Sequence, residues 1–270
     1  MVSINSITSV ARARSRGFVA ALALSLAALT SLASASPARA QTPAVDSAAR
    51  RIRVDASRLQ PSQFEYQTTL ERDASTTVVG TRTVTLSPTN YAGAPAWLLL
   101  ETRLDNGIPA ADSLTTSISD LRPIHWSSPL GESRLSMEFR GDTAYGATSV
   151  PGGRRSIVTV IPGGSMVNAA MLETVLRLLP LQTAWEDSAA VLTVTASGNA
   201  LLPARLSVIG EDRVRVPAGT FDCWVVSVRA DAARGMYWVT KQDPIVVRST
   251  LEVPSLGGAQ LVSALVRIGR

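Results

Sequence analysis

The run Phe64-Glu65-Tyr66-Gln67-Thr68-Thr69-Leu70-Glu71 decides the fold. Phe64, Tyr66, Thr68 and Leu70 take every second position, and Glu65, Gln67, Thr69 and Glu71 fill the gaps. Side chains along a strand point alternately to opposite faces, so such a run has one core face and one wetter face. Leu135, Met137 and Phe139 alternate in the same way with Ser136, Glu138 and Arg140, and Val247, Ser249, Leu251 and Val253 with their neighbours. Further strand-like runs occupy 77–86, 95–104, 111–118, 121–127, 143–149, 154–161, 189–196, 204–209, 213–216, 221–229, 235–240 and 261–268.

Turn residues separate these runs. Asn106-Gly107 supplies left-handed positions for a tight hairpin. Gly141-Asp142, Pro151-Gly152-Gly153, Gly198-Asn199, Gly210-Glu211-Asp212 and Pro217-Ala218-Gly219 are expected to do the same. Many short strands punctuated by turns predict a mainly β chain, arranged as a sandwich, a barrel or a strongly curved antiparallel sheet. Strands do not alternate with helices, which excludes helix-rich α/β folds.

One segment has the helical period. In Asn168–Leu179, apolar residues at Ala170, Met171, Val175, Leu178 and Leu179 recur at steps of three and four. Asn168 is a suitable N-cap, and Pro180 stops the helix. Met171, Val175 and Leu178 are expected to face the sheet. Glu173 and Arg177, four residues apart, are expected to stay wet as an ion pair.

The 270 residues carry 26 Lys plus Arg against 21 Asp plus Glu, a net of +5. Arg12, Arg14, Arg16 and Arg39 lie in residues 1–40, which hold no acid, so the remainder has 22 basic against 21 acidic residues. That balance has no electrostatic footprint for nucleic acid. The arginines precede the apolar run Phe18–Leu32, and Ala38-Arg39-Ala40 has the small-x-small pattern of a signal-peptidase site. Residues 1–40 are therefore expected to be a cleaved signal peptide without a lipobox, 41–62 a flexible leader, and 63–270 one β-rich domain in the periplasm or secreted. The apolar run is shorter than a membrane span, and no integral membrane segment is expected after cleavage.

The search for chemistry finds no converging set. The chain has one histidine, His125, and one cysteine, Cys223, which rules out the usual zinc and iron–sulfur clusters and any intrachain disulfide. No metal or cofactor is expected, and no catalytic residue. His125 has no motif partner in sequence. Cys223 alternates with Phe221 and Val225, the pattern of a buried and unreactive thiol. Gly163-Gly164-Ser165-Met166-Val167 lacks the closing glycine of a nucleophile elbow. Glu101 and Glu138 read as solvated positions on strand faces rather than paired acids.

The most specific stretch is Val214-Arg215-Val216-Pro217-Ala218-Gly219-Thr220-Phe221-Asp222-Cys223-Trp224-Val225-Val226. It resembles the V-x-V-P-A-G-T-F run of a bacterial envelope family known as domain of unknown function 3108. The segment Leu172–Leu181 and the segment Met236–Arg248 resemble that family's helix and its following strand pair. Leu181-Gln182-Thr183-Ala184 departs from the pattern, where a glycine is usual. Within the run, Pro217, Gly219 and Phe221 form a structural signature: a fixed φ, a position that permits positive φ, and the start of the next core face.

The resemblance implies a fold similar to the periplasmic lipoprotein carriers, an open half-barrel with one helix in or on its concave face. It implies no catalytic residue. The function expected from it is non-enzymatic binding of a lipid or other apolar ligand in the concave face. Met171, Val175 and Leu178 would then line the cavity as a helical lid. The alternatives are a structural or interaction module of the cell envelope with a self-filled core and, more weakly, a hydrolase.

Overall fold

The computed structural model describes residues 52–269 apart from 53, 106–107, 131–132, 151–152, 162–168, 195–198, 232 and 254–256. Residues 1–40, which were expected to be a signal peptide, lie outside the described residues, as do Asn168, Asn106-Gly107 and Gly163–Val167. Fourteen strands form one antiparallel sheet that does not close into a barrel. In chain order they are β1 (Ser62–Arg72), β2 (Ser75–Tyr91), β3 (Ala94–Asp105), β4 (Ile108–Ser117), β5 (Pro123–Leu130), β6 (Ser133–Arg140), β7 (Thr143–Val150) and β8 (Gly153–Val160). After the α-helix α1 (Ala169–Leu176) come β9 (Glu186–Val194), β10 (Asn199–Val216), β11 (Gly219–Ala230), β12 (Ala233–Thr240), β13 (Val246–Val253) and β14 (Ala259–Gly269).

The spatial order runs from β8 back to β1, then from β14 back to β9. The first and last strands therefore pair in the middle of the sheet, Phe64 opposite Ile268 and Leu70 opposite Leu261. The two free edges belong to β8 and β9, which are neighbours in the chain. The segment joining them carries α1. Asn199, at the start of β10, donates to Thr159 Oγ1 on β8, so the rims approach at that end of the seam.

Alternation places the core as the strand patterns require. Phe64, Tyr66, Val84, Leu86, Leu99, Leu114, Leu135 and Met137 are buried together with Leu206, Val226, Val239 and Leu265. Met171, Leu172, Val175 and Leu176 of α1 belong to the same core. The helix is thus packed on the buried face of the sheet.

Two expectations about elements need correction. Gly210-Glu211-Asp212 is not a turn. It continues β10, and the irregularity is a register shift between Val208 and Gly210. The runs 204–209 and 213–216 are one strand of 18 residues. A bulge absorbs the same turn-forming residues without reversing the chain. In the segment read as leader, Asp55 caps a 3-10 turn at Ala56–Arg58. Ile52, Ala56 and Leu59 are buried in the core, and Ala56 N–H donates to Ser119 O.

Candidate functional site

The half-barrel's buried face changes character from one side to the other. On β2 the inward positions read Arg82, Val84, Leu86, and on β3 they read Trp97, Leu99, Glu101, Arg103. Strand register lines these up. Tyr66 lies opposite Arg82, and Arg82 opposite Arg103. Glu101 lies opposite Asp112 on β4. A row of charge therefore crosses β1–β4 at the level of the helix.

Glu173 of α1 completes the row. Its carboxylate accepts from both terminal nitrogens of Arg82, at 2.5 and 3.2 Å. This is the two-pronged geometry that a guanidinium makes with a carboxylate. Glu173 is only 5% exposed, and the Arg82 carbon at the centre of the guanidinium sits 4.3 Å from the middle of the Tyr66 ring. The expectation that Glu173 and Arg177 form a solvated pair is therefore wrong for both. Arg177 instead donates from Nε to Pro244 O at 3.1 Å and lies over the Phe64 ring at 4.7 Å. Every residue from Ala170 to Leu176 is buried, so the helix has no wet face for the pair to occupy.

Glu101 is corrected too. It is 8% exposed rather than solvated, and lies 3.8 Å from both Arg82 and Arg103. Burial raises its pKa, with Glu173 and Asp112 adding to the rise and the two arginines opposing it. Asp112 accepts from Trp126 Nε1 at 2.9 Å and from Ser128 Oγ at 2.6 Å. For Arg82, burial alone would pull the guanidinium down. Glu173 and Glu101 more than offset that, and its pKa rises. Burial holds the Tyr66 and Tyr237 phenols well above their usual range.

Farther along the same inward face, Trp97 and Thr116 are cross-strand neighbours. Trp97 Nε1, Thr116 Oγ1, Thr148 Oγ1 and, on β13, Arg248 Nε are buried with no hydrogen-bond partner among the described residues. Unsatisfied buried groups are rare in folded proteins, and the first three sit on strands before the helix.

Met171, Val175 and Leu178 are buried, as the helical period suggested, together with Leu172, Leu176 and Leu179. Thr174 returns its hydroxyl to Ala170 O at 2.8 Å, which satisfies it within the helix. Pro217 and Ala218 form a tight turn, and Gly219 has φ +146°, a value that side chains disfavour. The turn ends beside a groove of about 770 Å³ lined by Glu211, Asp212, Phe221, Asp222, Lys241 and other residues. Lys241 pairs with Glu211 and lies 4.3 Å from the Trp224 ring centre, and Trp238 Nε1 donates to Asp212 at 3.0 Å.

Cys223 is fully buried, and its thiol is pushed up to about 12, first by burial and then by Asp212 and Asp222. His125 stacks on Tyr91 at 6.0 Å, and Tyr91 donates to Glu138 at 2.6 Å. These groups lie apart from the Arg82 row. Among the described residues there is no cluster of three metal-ligating side chains and no helix long and apolar enough to cross a membrane.

The pattern missed Arg82, Arg103 and the inward role of Glu101 and Glu173. A signal existed. Arg82 keeps step with Val84 and Leu86, and Glu101 with Leu99, so strict alternation already puts three charges on the core face.

The model of the family described as protein of unknown function, DUF3108, matches residues 65–260. No curated protein and no solved structure matches the chain.

Proposed function

The chain belongs to the DUF3108 family, and from the placement of its helix we propose that it is a non-enzymatic envelope protein whose half-barrel binds a lipid or other apolar ligand, with α1 as a displaceable plug. The observation that carries this reading is topological. Among the described residues, α1 is the only α-helix, and it lies in the connection between the two free edges of the sheet. Moving it aside breaks none of the thirteen strand ladders.

The energetics select the ligand. Withdrawing α1 with the turn that follows it uncovers Met171, Leu172, Val175, Leu176, Leu178 and Leu179. At about 1.5–3 kcal/mol for each such side chain, that is on the order of 10 kcal/mol. A small polar solute cannot offset it, whereas an acyl chain of a dozen carbons buries a comparable area. The orphaned Trp97 and Thr116 groups on the same inward face favour an occupant with some polar atoms.

A second reading has its own support. Leu176 of α1 is 0% exposed, so the helix is tightly packed in the core, which suits a structural or interaction module with a self-filled core. A titration separates the two. The carrier is expected to bind the fluorescent fatty acid cis-parinaric acid saturably, and ligand should raise its melting temperature by mass action. A null result across several lipid classes, with folding confirmed, favours the structural module. Export belongs to the same proposal: sequencing the exported protein should read from Gln41, and an intact Met1 on membrane-bound protein would contradict it.

A further inference from the structure

We propose that the ligand is a single-chain amphiphile with a carboxylate head, and that Arg82 receives this head in place of Glu173. The inference rests on the carrier reading above and deepens it. Arg82 belongs to the wall and not to the plug. It sits in mid-strand on β2, over the Tyr66 ring, with Arg103 opposite it on β3. When α1 leaves, Glu173 goes with it and Arg82 stays.

The consequence is an unfilled guanidinium fork inside the hollow. Leaving one partner of a buried pair uncompensated is costly. Glu101 does not fill the vacated positions, because at 3.8 Å it stands beyond hydrogen-bond distance. It also stands 3.8 Å from Arg103, and burial favours its neutral form. Asp112 is held by Trp126 and Ser128. A neutral apolar ligand would therefore leave Arg82 unsatisfied, and a cationic one would add repulsion. A carboxylate head restores both hydrogen bonds of the fork. Its tail would follow the track that Met171, Val175 and Leu178 now occupy. Glu173 is in this sense an internal copy of the ligand's head.

The test uses the purified full chain and three probes that share a tail: dodecanoate, dodecanol and dodecylamine. Each competes against cis-parinaric acid. Dodecanoate is expected to bind roughly ten- to a hundredfold tighter than dodecanol, the range for a charge-assisted hydrogen-bonded pair. Dodecylamine is expected to be weakest. Glu173→Gln should tighten all three, because it loosens the plug, without changing their order.

Arg82→Met combined with Glu173→Met removes the receptor without stranding its partner. That protein should bind dodecanol undiminished and lose its preference for dodecanoate. Equal binding of dodecanoate and dodecanol by the unaltered protein would overturn this inference and leave the carrier reading standing. Binding of none of them, or of the competitor, would overturn both. A carboxylate preference that survives in the double variant would overturn the assignment to Arg82.

Discussion

The wall formed by β1–β4 and the wall formed by β9–β13 contribute different chemistry to one core. The first carries Arg82, Glu101, Arg103 and Asp112 among its inward residues. The second is lined by Val191, Leu206, Val226, Val239 and Val247. Apolar contact is non-directional, so the second wall holds a helix without dictating its rotation or depth. A two-pronged ion pair is directional, and the first wall accepts α1 only where Glu173 meets Arg82. The charged wall thus fixes the register of the helix. Buried pairs elsewhere contribute little net stability against apolar replacements, which is the behaviour this division requires.

The largest expected effect tests the charged wall directly. Arg82→Met strands Glu173 and should lose about 3–5 kcal/mol in urea unfolding. Adding Glu173→Met should return most of that loss, because the pair is then replaced by apolar groups of similar size. If the double variant is as unstable as the single, the pair supplies stability and not register, and the contrast between the walls fails.

On the apolar wall, Leu206→Ala should cost about 2–5 kcal/mol, with no partner substitution able to restore it. Leu206 is fully buried on β10, so a loss below about 1 kcal/mol would mean that wall is loosely packed. Next in size is the turn that opens β11. Gly219→Ala forces a side chain into φ +146°, where Phe221 lies 3.4 Å from the added carbon. The expected cost is on the order of 1–3 kcal/mol. A neutral outcome would show that the turn relaxes.

The smallest effect is a pH dependence. Glu101 has a folded-state pKa above its ordinary value. Its contribution is therefore fully present below the unfolded pKa and is lost as pH rises through the folded one. Glu101→Gln should gain stability relative to the unaltered chain as pH rises from the acid range to neutrality. Parallel stability–pH curves for the two proteins would contradict the raised pKa, and with it the view that this wall is strained by its own charge.

Most of the architecture was legible because period-two runs report which face is buried, and neighbouring runs pair as a meander. The helix was legible for the same reason at its own period. Its polar residues were not. Glu173 and Arg177 satisfy the spacing of a surface pair, and nothing local says that the helix is buried all round. Gly210-Glu211-Asp212 failed differently, since turn-forming residues also make bulges, and only the partner strand distinguishes them. Arg82 was readable in principle, in step with Val84 and Leu86. A rule that charges belong outside overrode the alternation that put it inside.

The pairing of the first strand with the last also governs how the chain must assemble. Every other ladder joins strands adjacent in sequence and closes over a short turn, except at the helix, where no ladder forms. The contact between Thr68 and Ser263 spans 195 residues. Loop closure over that length costs entropy before any contact rewards it, and non-local pairing slows folding. Strands β1–β8 can zip as one run of hairpins and β9–β14 as another, each with an unpaired strand waiting at its inner edge. During vectorial synthesis, the first run emerges long before β14 and holds the β1 edge open until then. Unpaired edges of this kind recruit the wrong strands. The kinetic hazard of this molecule is thus concentrated at β1, in the stretch from Phe64 to Glu71, and a chaperone that covers that edge would guard the most non-local pairing of its sheet.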